Sequence, residues 1–195
     1  MNFIETQLFR IQYRLDKWRG YDFLAPIQPE EVGFDRNLVH PSVVSSIKYI
    51  KKVIKKLPVS ENDSILDIGC GKGNAMRAFL KFPFAKIHGI EIAPKIAQIA
   101  MKNFKNISRI EIFAQNAIDF NNYDKYSFFY FYNPFPESVM KHVINKILNA
   151  KKNKKHWIIY YNPICENLIL DVGNYKTVLS IKADNNNKIT AYQSL

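Results

Sequence analysis

The stretch Ser64-Ile65-Leu66-Asp67-Ile68-Gly69-Cys70-Gly71-Lys72-Gly73-Asn74 constrains this chain more than any other. An apolar run of strand character reaches an aspartate, enters three glycines spaced by single residues, and passes into a segment of helical character. Glycine at such a junction has physical causes. The sharp turn needs positive φ, a ligand lying against bare backbone leaves no room for a Cβ, and the next helix turns unpaired N–H groups towards a negatively charged ligand end. A strand, loop and helix of this kind sit at the carboxyl edge of a parallel sheet.

The remainder of the chain supplies the expected alternation. From residue 64 onward, short β-branched and aromatic runs alternate with helical patterns of about ten to fifteen residues, the signature of βαβ units. The runs are Ser64–Gly69, Lys86–Ile92, Arg109–Ala114, Tyr126–Asn133 and His156–Asn162. Several are almost continuously apolar, as strands covered on both faces are. Tyr175–Ala183 and Lys188–Ser194 flank the turn-prone Asp184-Asn185-Asn186-Asn187 and read as an antiparallel hairpin.

Between the runs, Ile96, Ile99, Ala100 and Phe104 share one helical face, as do Val139, Met140, Val143, Ile144 and Ile147. The segment Pro41–Leu57 sets Val43, Ile47, Ile50, Ile54 and Leu57 on one stripe and Lys48, Lys51, Lys52, Lys55 and Lys56 on the solvated side. The expected fold is α/β: a Rossmann-like doubly wound sheet of about seven strands, mostly parallel with a C-terminal antiparallel hairpin, helices on both faces, and an N-terminal helical extension. Two parts follow. Residues 1–40 form an amphipathic basic helix with Ile4, Leu8, Ile11 and Leu15 at helical spacing, which packs on the sheet, covers a site as a lid or contacts a membrane surface, and then a connecting loop; residues 41–195 form the sheet domain.

Which nucleotide the glycines serve is decided by spacing. A dinucleotide fingerprint, G-x-G-x-x-G/A, would place its third small residue at position 74, where this chain has Asn74. The sequence D-x-G-x-G-x-G instead resembles the first motif of the class I S-adenosylmethionine-dependent methyltransferases. A second element follows about twenty residues later, where Ile87-His88-Gly89-Ile90-Glu91-Ile92 ends the next strand on a carboxylate. A third is Ala114-Gln115-Asn116-Ala117, where the family often carries an acidic residue and this chain has Asn116.

The resemblance covers roughly residues 40 to 195 and implies S-adenosyl-L-methionine as the cofactor. Gly69, Cys70, Gly71 and Gly73 would form the methionine-side loop, and Asp67 would fix that loop and approach the methionine amino group. Glu91 would bind the ribose hydroxyls, with Ile92, Asn116 and Ala117 around the adenine.

The acceptor side is expected at the end of the fourth strand, in Tyr132-Asn133-Pro134-Phe135-Pro136-Glu137, because open α/β sheets bind ligands at the carboxyl ends of their strands. The run is similar to the N-P-P-(Y/F) motif of amino methyltransferases, although its order is N-P-F-P. That likeness implies that Asn133 accepts a hydrogen bond from a substrate amine, with Tyr132, Pro134 and Phe135 about it. A second Tyr161-Asn162-Pro163 at the end of the fifth strand would add Tyr161, Asn162 and Glu166 to a polar and aromatic wall.

Composition narrows the rest. The net charge is +11, but only six of the 28 basic residues are arginine, and the abundance of Lys, Asn, Ile, Phe and Tyr is what the codon usage of an AT-rich genome produces. A dedicated nucleic-acid surface would show more arginine, so a small-molecule acceptor is favoured, a sugar or lipid-linked metabolite of a bacterial pathway. Methylation of a protein lysine or nucleic-acid amine is the second enzymatic reading, and a non-catalytic S-adenosylmethionine-binding protein the third. Cys70 and Cys165 are isolated, which points to neither a disulfide nor a metal site. No apolar run nears the roughly 18 to 20 residues of a membrane span, and a cytoplasmic enzyme is expected.

Overall fold

A computed structural model describes residues 3–25, 45–132, 134–152, 154–172, 175–184 and 186–195. Helix α1 (Phe3–Trp18) precedes α2 (Ile47–Ile54). The alternating part then runs β1 (Ser64–Ile68), α3 (Met76–Phe79), β2 (Lys86–Glu91), α4 (Pro94–Asn103), β3 (Ile110–Ala114), β4 (Phe128–Tyr132), α5 (Glu137–Ala150), β5 (Trp157–Tyr161) and α6 (Glu166–Val172). Strands β6 (Tyr175–Lys182) and β7 (Lys188–Ser194) close the chain.

All seven strands form one sheet in the order β3-β2-β1-β4-β5-β7-β6. The five alternating strands are mutually parallel, while β7 runs antiparallel to both β5 and β6. The chain order reverses between β1 and β4, so the carboxyl ends of β1, β2 and β4 converge there, which is where open α/β sheets bind ligands. The expected fold class is thus the observed one.

The period of two in the strands sorts the apolar side chains into two cores. Ile65, Ile87, Phe128, Tyr130 and Ile159 meet α2, α3 and α4 through Ile50, Met76 and Ala100 on one face. Leu66, Ile68, Ile90, Phe129, Phe131 and Ile158 meet α5 through Met140, Val143, Ile144 and Ile147 on the other. Every residue of β1 and β5 is buried, as the continuously apolar runs require. By contrast β3 is an edge strand, with only Ile112 of its five residues buried.

The hairpin turn forms where the asparagines predict it. Asn187 N–H donates to the Asp184 carbonyl (2.9 Å), and Asn186 sits at φ 61°, a left-handed conformation that asparagine tolerates. Helix α6 carries no periodic signal long enough to be read from the sequence. Residues 26–40 of the expected N-terminal loop lie outside the described residues, as do Pro41 and the first stripe residue, Val43.

Candidate active site

The end of β1 is the frame. Gly69 and Cys70 both donate their N–H groups to the Ile90 carbonyl at 2.9 Å, which ties the loop after β1 to the end of β2. Gly69, Gly71 and Gly73 all have positive φ, at 79°, 54° and 87°. Two of them are also required by contact. A Cβ on Gly69 would lie 2.6 Å from the Pro134 Cβ, and one on Gly73 would enter the Phe104 ring.

Two buried carboxylates face this loop. Glu91, 7% exposed, accepts hydrogen bonds from Gly71 N–H through Oε2 and from Ala93 N–H through Oε1, both at 2.9 Å. Burial raises its pKa while those backbone donors oppose the rise. Asp67 is 2% exposed, and its Oδ2 is buried without a hydrogen-bond partner among the described residues. Burial, and then the nearby Glu91 charge, push its carboxyl well above the ordinary carboxylate range. The Cys70 thiol is raised by burial and by both carboxylates, so it stays protonated. Its Sγ packs where a Cβ on Gly89 would sit, at 2.7 Å, which explains a glycine inside β2.

The loop after β3 completes the row. Gln115 N–H donates to the Glu91 carbonyl (3.0 Å), and Ile118 N–H donates to Asn116 Oδ1 (3.0 Å). Asn116 is half-buried, as is Ile92, and Ala117 is buried with its carbonyl accepting from the Tyr123 hydroxyl (2.7 Å). The structure therefore brings Asp67, the glycines, Glu91, Ile92, Asn116 and Ala117 to the ends of three neighbouring parallel strands.

On the acceptor side, Pro134 lies against Gly69, so the loop after β4 touches the glycine-rich loop directly. Pro134 and Phe135 are half-buried, and Phe135 packs on the core beneath α5. The half-buried Tyr132 packs on Tyr161 with ring centroids 4.5 Å apart, and burial raises its phenol pKa, aided by Asp184. Asn133 lies outside the described residues.

Of the expected second wall, Tyr161 is fully buried, its hydroxyl donating to Asp184 Oδ1 (2.5 Å). Glu166 is engaged by Lys188 and by the Tyr192 hydroxyl (2.8 Å), both on β7. Asn162 sits half-buried at φ 50°. The histidines of the strands are structural: His88 Nδ1 meets the Tyr126 hydroxyl (2.8 Å) and His156 Nε2 the Tyr175 hydroxyl (2.5 Å), and burial lowers the pKa of both.

One set of contacts had no sequence signal. Lys72, only 7% exposed, donates to Asp22 Oδ2 (2.9 Å) and to the Ala25 carbonyl (3.1 Å). Asn103 Oδ1 accepts from Asp22 N–H (2.8 Å), and its amide donates to the carbonyls of Asp22 and Lys72. Arg77 forms a two-pronged ion pair with the buried Asp16 of α1 and lies over the Phe23 ring. The segment after α1 is thus clasped to the glycine-rich loop from outside.

Comparison with known proteins places the chain in a family. Residues 42–176 match the model of the ribosomal RNA adenine dimethylase family. The chain belongs to that family. That family is one of S-adenosylmethionine-dependent methyltransferases.

A probable ribosomal RNA small subunit methyltransferase A of Methanosarcina acetivorans is 26% identical over 107 residues, 54% of this chain and 38% of that protein. A demethylmenaquinone methyltransferase of Chlorobaculum tepidum is 35% identical over 65 residues, 33% of this chain and 27% of that protein. The chain thus spans well under half the length of these curated relatives. Among solved structures, an RNA methyltransferase from Salinibacter ruber in complex with S-adenosylhomocysteine shares the fold, with TM-score 0.60, 17% identity, and 77% and 93% of the two chains covered.

The residues present fit this cofactor. An unpartnered buried carboxylate oxygen on Asp67 suits a cationic amino group. Glu91 uses one acceptor site per oxygen on its own backbone and retains lone pairs for hydroxyl donors.

Proposed function

We propose that this chain methylates an amine of a nucleic-acid base, with the exocyclic amino group of adenine as the acceptor. The observation that carries the reading is the contact of Pro134 with Gly69, which sets the residue after the expected acceptor Asn133 against the glycine-rich loop. The match to an adenine dimethylase family over residues 42–176, which includes both loops, supports this acceptor class. The net charge of +11 and the exposed Lys48, Lys52, Lys55 and Lys56 of and beside α2 suit a polyanion.

In this reading Asp67 holds the methionine amino group, Glu91 the ribose, and Asn116 the adenine edge of the cofactor, with Ile92 and Ala117 packed against that ring. Bound there, the cofactor supplies a methyl group on a sulfonium, already activated for in-line displacement. The chain's own task is orientation. The amide oxygen of Asn133 and the backbone carbonyl beside it accept hydrogen bonds from the substrate amine, which fixes the lone pair in line with the methyl carbon. Phe135 offers an aromatic face for a base taken out of its stack. Tyr132, whose phenol is held neutral, walls the pocket and removes no proton. The proton displaced from the amine leaves to water.

The test is transfer of labelled methyl from S-adenosylmethionine to RNA containing single-stranded adenines, followed by nuclease digestion. Label in N6-methylated adenine supports the proposal, and Asn133→Ala should then slow transfer by about 100-fold with little change in cofactor affinity. Label that enters lysine of an added protein, or a quinol or sugar acceptor, while RNA stays unlabelled would refute it. The local likeness to a quinone-modifying enzyme keeps a small-molecule acceptor as the second reading, and the same assay decides between them.

A further inference from the structure

Helix α1 is fastened to the domain by one side only. Asp16 is 2% exposed and paired with Arg77, and Tyr13 packs on the core. The other side carries Leu8, Ile11, Leu15 and Trp18, at 61%, 54%, 40% and 83% exposure. Their spacing of three, four and three residues places them in one arc about 80° wide at 3.6 residues per turn. Exposed Arg14, with Arg10 beyond it, flanks that arc on one side, and exposed Arg19 follows the helix on the other. A continuous exposed apolar stripe of this kind marks a contact surface.

We propose that this face of α1 is an interfacial anchor that lies in the headgroup region of an anionic lipid bilayer. The charge pattern selects the occupant. A second copy of the chain would set the same basic flanks against each other, and like charges oppose that pairing. A polynucleotide would engage the arginines and leave Leu8, Ile11 and Leu15 in water. An anionic membrane satisfies both, because the apolar stripe enters the acyl boundary while the long basic side chains reach up to the headgroups. Trp18 stands at the end of the stripe, and its amphipathic ring suits the interface between lipid and water.

Sixteen residues of helix rise about 24 Å, short of a roughly 30 Å hydrocarbon core, and no described helix is long and apolar enough to cross a membrane. The helix therefore lies in the membrane plane. Because Asp16 and Tyr13 point away from the stripe, attachment leaves the clasp on the glycine-rich loop intact. The inference holds whichever acceptor the enzyme uses.

Flotation of the full chain with vesicles tests it. Phosphatidylcholine vesicles containing about 30 mol% phosphatidylglycerol should carry the protein up the gradient, with at least ~10-fold weaker binding to phosphatidylcholine alone. The chain has two tryptophans, and Trp157 is already buried in the core, so a blue shift on binding reports Trp18. Replacing Ile11→Gln with Leu15→Gln should abolish flotation, and Arg10→Glu with Arg14→Glu should weaken it ~10-fold or more. All four sites are exposed, and retained thermal unfolding and cofactor binding establish that the variants are folded.

The proposal fails if anionic vesicles leave the protein at the bottom of the gradient. It fails equally if the Gln variants float as well as the parent, which would assign binding to the lysines of α2. A concentration-dependent dimer that the Gln variants disrupt, without vesicle binding, would assign the stripe to a second copy instead.

Discussion

The carboxyl ends of β1 and β2 each present a buried acid to the same loop, and the two acids are treated differently. Glu91 is satisfied by the chain itself, holding the N–H groups of Gly71 and Ala93. Asp67 has a buried oxygen with no partner among the described residues and stands close enough to Glu91 to be repelled by it. A protein tolerates an unsatisfied buried charge where function requires it, since burial without compensation costs several kcal/mol at such a site. Glu91 therefore shapes the loop, whereas Asp67 keeps a buried acceptor that no described residue uses, in keeping with its proposed role on the methionine amino group.

That contrast can be broken by substitution. The largest effect is expected from Asp67→Asn, which should weaken S-adenosylmethionine binding by about 100-fold, the scale of one charge-assisted hydrogen bond. The same change should leave the melting temperature unchanged or raise it, because it deletes an uncompensated charge. Calorimetry and thermal unfolding on one preparation would show both. Glu91→Ala should do more harm to the fold, leaving two buried N–H groups unpaired at about 1–3 kcal/mol each, alongside its loss of cofactor affinity. A melting temperature unmoved by Glu91→Ala would erase the distinction.

Acidity sharpens the comparison further. Both carboxyls have folded pKa values above their ordinary ones, so the folded state takes up these protons more readily than the unfolded chain. Their contribution favours folding at low pH and is lost as pH rises through the raised values. Cofactor binding should run the other way, since the Asp67 anion is the form that meets an amino group. Lowering pH through the raised Asp67 pKa should weaken S-adenosylmethionine binding in the parent and leave Asp67→Asn flat. A parallel decline in both proteins would remove Asp67 from the methionine side. The smallest effect belongs to the clasp: Asp22→Asn should cost roughly 1 kcal/mol of stability, because the carboxylate is a third exposed and solvent screens part of its pairing with Lys72.

How far the sequence foretold this depends on the range of the forces involved. Strand β1, its glycines and Glu91 were legible because period, positive φ and absence of a Cβ are local demands that leave residue types behind. The hairpin was legible from its asparagines. Asp22 with Lys72 and Asp16 with Arg77 were not, since partners 50 and 61 residues apart look like ordinary solvated charges until the chain folds. Gly89 carried a fainter mark, a glycine within a strand, whose meaning needed the Cys70 side chain to be placed. A repeated Tyr-Asn-Pro suggested a second pocket wall; in the fold Tyr161 packs on Tyr132 and donates to Asp184, while Glu166 is taken up by Lys188 and Tyr192 of β7.

The central claim is that the ends of β1 and β2 form an S-adenosylmethionine site in which Asp67 provides the recognition the fold does not need. Calorimetric titration of the parent and of Asp67→Asn with S-adenosylmethionine and S-adenosylhomocysteine tests it most directly. Micromolar binding by the parent, with a large loss in a variant that melts no lower, is the predicted result. Absence of binding by the parent, or equal binding by a folded Asp67→Asn, would contradict the account.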